Sequence, residues 1–220
     1  MLQIHLIEEG VFDIPLILPE SLEPQRNTLH QTLINAQRRL RDFACRNGWA
    51  LFLNESFAER FEVYNNQNEF IQALLKITGA DASTDLPETI SSVLEEGVLM
   101  SVSPEVYSRI YPEGIENKSF EKLITHEMAH RLHIRILGGN EDAMGPIWFF
   151  EGFAILAAGQ FEDASMQPAR IFQILAEKKR GSYKEYASLV RNFLKQVSVK
   201  EMVKHAADKD FVDWLLERGH

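Results

Sequence analysis

The sequence predicts an α+β protein: a mixed α/β amino-terminal lobe with a small sheet, followed by a helical carboxy-terminal lobe. Three observations carry this expectation. Short apolar or β-branched runs bounded by turn residues fall at 2–7, 49–53 and 97–102, all in the first half of the chain. Apolar residues at helical spacing fill 21–46 and almost everything after Asn117. A chain of 220 residues, 45% hydrophobic and 25% charged, has the mix of a globular protein with a sizeable core.

In chain order, 2–7 reads as a short strand and 13–24 as a proline-punctuated connection. Residues 21–46 form a long amphipathic helix, because Leu29, Leu33, Ala36, Leu40 and Phe43 recur every three or four positions before Asn47-Gly48 stops it. Residues 49–53 (WALFL) read as a buried strand and 66–78 as a second helix ended by Gly79. The β-branched and apolar run 97–102 (GVLMSV) reads as an edge strand ended by Pro104. Helices are expected at 117–137, 146–158, 168–178, 182–197 and 199–217. The whole chain, 1–220, is expected to be one domain, with an α/β lobe over 1–137 and a helical lobe over 138–220.

The formal net charge is -9, and no run of Lys and Arg could track phosphates, so nucleic acid is not an expected partner. The single cysteine, Cys45, has no partner for a disulfide or thiolate metal site and is expected to be a small buried group on the first helix. The start, MLQIHLIEEG, has neither the positive region nor the apolar core of a secretory leader. The longest apolar stretch, 145–159, is interrupted by Glu151 and falls short of the roughly 20 residues that span a bilayer. A soluble, cytoplasmic protein with no membrane span is expected.

Chemistry enters at His126-Glu127-Met128-Ala129-His130. Residues four apart on a helix project from one face, so the two imidazoles can reach one small ion. Zinc accepts neutral imidazole nitrogens readily, and Glu127, beside the first histidine, can face a water at the metal without ligating it. Phe120, Leu123, Ile124, Met128, Leu132, Ile136 and Leu137 make this helix apolar most of the way round, leaving a polar stripe at Glu121, Arg131 and Arg135. Gly138-Gly139 supplies its stop. His133 lies on nearly the same face and is expected to be a packing or supporting histidine.

A catalytic zinc site commonly has three protein ligands and one open position. Glu151, set among Trp148, Phe149, Phe150 and Phe153, offers the third. A carboxylate there is expensive to bury unpaired, and either a metal or an arginine such as Arg131 or Arg135 would remove that cost. Gly152, Ala154, Ala157 and Ala158 are expected to let this helix approach the first closely.

HEMAH and then WFFEGFA, with twenty residues between His130 and Glu151, are similar to the HExxH and downstream W-x-x-E-G-x-A elements of the gluzincin metallopeptidases, in particular aminopeptidase N-like and peptidase-MA-like catalytic domains. The resemblance covers about residues 97–193. It implies a thermolysin-like fold around a zinc cleft, with one Zn2+ held by His126, His130 and Glu151 and with Glu127 as general base. Residues 182–191 (SYKEYASLVR) also look like the family segment that carries the transition-state tyrosine, which falls on Tyr183, with Tyr186 in reserve. Independently, Ser182 and Glu185 suit a capping box, which would put Tyr183 at the positive end of a helix. Two departures stand out. The family's G-x-M-E-N element, which captures a substrate's free amino terminus, has no equivalent in 97–102, and no Asp follows Glu151 by four residues to orient the histidines.

The expected activity is zinc-dependent peptide-bond hydrolysis on a peptide or protein substrate, with endopeptidase favoured over aminopeptidase cleavage. The alternative is a non-catalytic zinc-binding interaction module on a peptidase-like fold.

Overall fold

Strands β1 (His5–Glu8) and β2 (Val11–Asp13) form an antiparallel hairpin in the computed structural model, which describes residues 4–81 and 83–218. Residues 2 and 3 of the strand expected at 2–7 lie outside the described residues. A four-stranded sheet follows in the order β3-β4-β6-β5, from β3 (Leu16–Ile17), β4 (Arg60–Tyr64), β5 (Ser92–Glu95) and β6 (Val98–Val102). The first three of these neighbours are parallel, and β5 is antiparallel to β6.

All five residues of β6 are buried, the pattern of a strand covered on both faces. The expected strand is therefore present, but it is not an edge: β4 pairs along one side and β5 along the other. The edge on this side of the sheet is β5, whose residues alternate between buried and half-buried or exposed and end at the exposed Glu95. Glu96 and Gly97, both at positive φ (48° and 75°), make the two-residue hairpin turn that fits the twist of paired strands.

The first long helix, α1 (Arg26–Arg46), begins after a 3-10 turn at Glu20–Gln25 that holds Pro24, so it starts later than its apolar spacing suggested. Cys45 is exposed on it, contrary to expectation, because the buried stripe runs through Phe43 and Ala44. Residues 49–53 are not a strand but a 3-10 turn, Ala50–Leu53. Trp49 and Leu53 turn inward there while Leu51 is 87% exposed, which a one-turn helix permits and a buried strand does not. Helix α2 (Gln67–Thr78) runs as expected, from a cap in which Asn66 accepts the Glu69 N–H to Gly79. Helix α3 (Pro104–Ile110), capped by Ser103, was not anticipated.

The carboxy-terminal half is helical: α4 (Ser119–Ile136), α5 (Ile147–Ala158), α6 (Ile171–Leu175), α7 (Tyr183–Phe193), α8 (Val199–His205) and α9 (Phe211–Arg218). The single helix expected at 199–217 divides into two, and that at 168–178 shrinks to a 3-10 turn and α6. Helix α4 packs between α1 and α5, and Thr125 Oγ1 lies 3.3 Å from the Ala36 carbonyl of α1. Glu121, expected on a polar stripe, is buried and paired with Arg39 at 2.7 Å. Arg135 donates to the Phe52 and Glu55 carbonyls of the loop below it. The buried hydrophobic core reaches from Ile14 to Leu215, and no described helix is long and apolar enough to cross a membrane.

Gly152 does serve close packing, but against α7 rather than α4. A Cβ on it would lie 2.3 Å from Val190 Cγ2. Gly152→Ala is therefore expected to cost about 1–3 kcal/mol by overpacking, read as a lower Tm in thermal unfolding.

Candidate metal centre

Helices α4 and α5 bring His126, His130 and Glu151 to one point. His126 Nε2 lies 3.1 Å from His130 Nε2 and 3.1 Å from Glu151 Oε2, and His130 Nε2 lies 3.7 Å from the same oxygen. One proton cannot satisfy three such atoms, whereas a cation at their centre can; the three residues form a group able to hold a metal ion. Glu151 is buried, as its aromatic neighbours required. Burial works to raise its pKa, but His130 and His126 outweigh that and hold the carboxyl below the ordinary range. His130 is pushed down by burial; burial also opposes protonation of His126, where Glu151 wins and raises it.

The arginine beside Glu151 is neither Arg131, which pairs with Glu141, nor Arg135. It is Arg180, from the segment between α6 and α7, whose Nε lies 2.7 Å from Glu151 Oε1 and whose guanidinium sits 5.4 Å from the Phe150 ring. Glu151 thus turns one oxygen to the imidazoles and the other to an arginine. His133, by contrast, is a packing residue. It stacks on Phe153 at 4.2 Å and is fully buried, which pushes it down to about 3.

The three residues lie in a cleft of about 720 Å³, lined also by Glu127, Tyr183, Arg180 and all of β5. Glu127 is half-buried, and burial pushes its carboxyl up to about 7, with His126 and Arg180 opposing and Glu151 and Glu95 adding. Tyr183 is the first residue of α7, as expected, and its ring centre is 6.3 Å from that of His126. Its hydroxyl has no hydrogen-bond partner among the described residues, and burial, with Glu151, raises its pKa. The expected capping box does not form. The Ser182 hydroxyl donates to Glu177 at 2.8 Å and Glu185 pairs with Arg170 at 2.8 Å. Tyr186, the reserve candidate, is fully buried and donates to Glu177 at 2.5 Å, away from the centre.

Sequence reading left the support of the histidines unassigned. Gln160 supplies part of it: buried just beyond the end of α5, its Oε1 accepts from His126 Nδ1 at 2.8 Å. Neither Gln160 nor Arg180 belongs to a recognisable spacing, because each reaches the centre only through the path of a loop. No family model, curated protein or solved structure matches the chain.

Proposed function

We propose that the chain is a zinc metallopeptidase of the gluzincin kind, with His126, His130 and Glu151 as ligands and Glu127 as general base. The observation that carries this reading is the convergence of the three ligand atoms, at separations of 3.1, 3.1 and 3.7 Å, on the floor of an open cleft. Tetrahedral zinc with ligands at about 2.0–2.1 Å requires separations of about 3.3–3.4 Å, which these bracket. The donor set, two imidazoles and one carboxylate, is that of catalytic rather than structural zinc.

Zinc held by these three residues would supply a water of near-neutral pKa and a Lewis acid for the scissile carbonyl. Glu127 would serve as the base at its carboxylate, taking a proton from the attacking water and returning it to the leaving amine. Tyr183, with a hydroxyl free to donate, stabilises the oxyanion. Because β5 is an edge strand and is the one that lines the cleft, its unpaired backbone groups can hold an extended peptide across the centre. The sheet with its antiparallel cleft strand, followed by two ligand-bearing helices, supports a thermolysin-like arrangement.

A second reading concerns the mode of cleavage. The strand at the cleft ends in Glu95, an exposed residue whose carboxyl is partly desolvated in the cleft and is pushed up by that and by Glu141, with no ion-pair partner among the described residues. An unpaired carboxylate at the cleft favours capture of a free amino terminus, and comparison of free and N-acetylated peptides distinguishes exo- from endo-cleavage.

The direct test is incubation with a broad peptide library. Cleavage is expected to stop on chelation and return with zinc; a chain that binds zinc yet cleaves nothing is the non-catalytic module. Tyr183→Phe is expected to lower kcat about 10²–10³-fold with a smaller change in KM, as seen when an oxyanion donor is lost. Unchanged kcat in steady-state kinetics removes Tyr183 from the mechanism.

A further inference from the structure

We infer that Gln160 is a positioning residue that selects the metal-binding tautomer of His126, and that Arg191 and Glu116 brace it from two other parts of the fold. The inference rests on the metal reading given above and adds to it the groups that set its affinity.

A histidine can give its Nε2 lone pair to a cation only if its proton sits on Nδ1, and an oxygen acceptor at Nδ1 selects that form. Gln160 Oε1 is that acceptor, at 2.8 Å, and Gln160 is only 6% exposed, so water does not replace it freely. The backbone that carries Gln160 is itself held. Its carbonyl accepts from Arg191 Nη2 and the next carbonyl, of Phe161, accepts from Arg191 Nη1, both at 2.6 Å. Phe161 stands at φ 51°, a region that large side chains rarely enter and keep only when their surroundings impose it. Glu116 contributes to that imposition: its Oε1 accepts the Phe161 N–H at 3.1 Å, and its Oε2 accepts from Lys122 on α4 at 3.0 Å. Three segments distant in sequence, the loop before α4, the turn after α5 and helix α7, thus converge on one side chain. The outcome is a neutral amide, not a carboxylate, aimed at the first ligand.

The test is the zinc affinity of the full chain, measured by competition with a chromophoric chelator. Gln160→Leu is expected to weaken binding about 10–100-fold, the usual effect of losing such a partner. Gln160→Glu keeps an acceptor at the same reach and is expected to restore binding to within about threefold of wild type or better. The absorption spectrum of the cobalt(II)-substituted chain should shift in the leucine variant and return in the glutamate one. Gln160→Asn keeps the amide but is one methylene too short, so it should behave as leucine does; it carries the test if the leucine variant does not fold. Arg191→Met should weaken zinc in the same direction. Wild-type affinity in the leucine and asparagine variants, or equal weakening in the glutamate one, overturns the proposal. A wild-type chain that binds no zinc overturns the metal reading as well, so the two failures are told apart.

Discussion

Glu127→Gln is expected to lower turnover about 10²–10⁴-fold while metal content stays at the wild-type level, because the substitution removes a proton acceptor and no ligand. Glu127 stands in the cleft beside the three converging residues but is not one of them. Burial pushes its carboxyl above the ordinary carboxylate range, which favours a group that must both take and return a proton. The glutamine is nearly isosteric, so folding should be untouched. Steady-state kinetics with any peptide cleaved by the wild type, paired with elemental analysis, reads both halves; equal turnover in the variant would remove Glu127 from the chemistry.

The second large effect is expected from Glu151→Ala. Its Oε2 is the point on which both imidazoles close, at 3.1 and 3.7 Å, and without it two histidines remain on one helix turn with no carboxylate to complete the set. Zinc should fall from one equivalent per chain to well below one after dialysis, with loss of all metal-dependent cleavage. Arg180 loses only its pairing in this variant and leaves no buried unpaired charge, since over half of its side chain already meets solvent. Retention of a full equivalent of zinc would exclude Glu151 as a ligand.

The parts of the centre that were legible in the sequence are those set by helical geometry. His126 and His130 share a face because they are four apart on an uninterrupted helix, and a carboxylate among aromatics announced its need for a cation. Parts set by short or loop segments were not legible. WALFL is too short to separate a strand from a helical turn, and tertiary packing of Trp49 and Leu53 chose the turn. The strands Arg60–Tyr64 and Ser92–Glu95 are four or five residues each, and the edge role passed from β6 to β5 only through a hairpin turn at Glu96-Gly97. Ser182 and Glu185 have the right spacing for a capping box, but Glu177 and Arg170 claim their side chains first. Gln160 and Arg180 act at a distance from Glu151 that no periodicity encodes, since each depends on where a loop brings it.

The most direct measurement is the position of zinc in a crystal of the zinc-loaded chain, located by anomalous scattering at the metal edge. One ion is expected, about 2.0–2.1 Å from His126 Nε2 and His130 Nε2 and about 2.0–2.2 Å from a Glu151 oxygen, with a further position open to the cleft. An ion bound elsewhere, or three side chains that hold none at saturating zinc, would contradict the metal centre and the hydrolysis proposed from it.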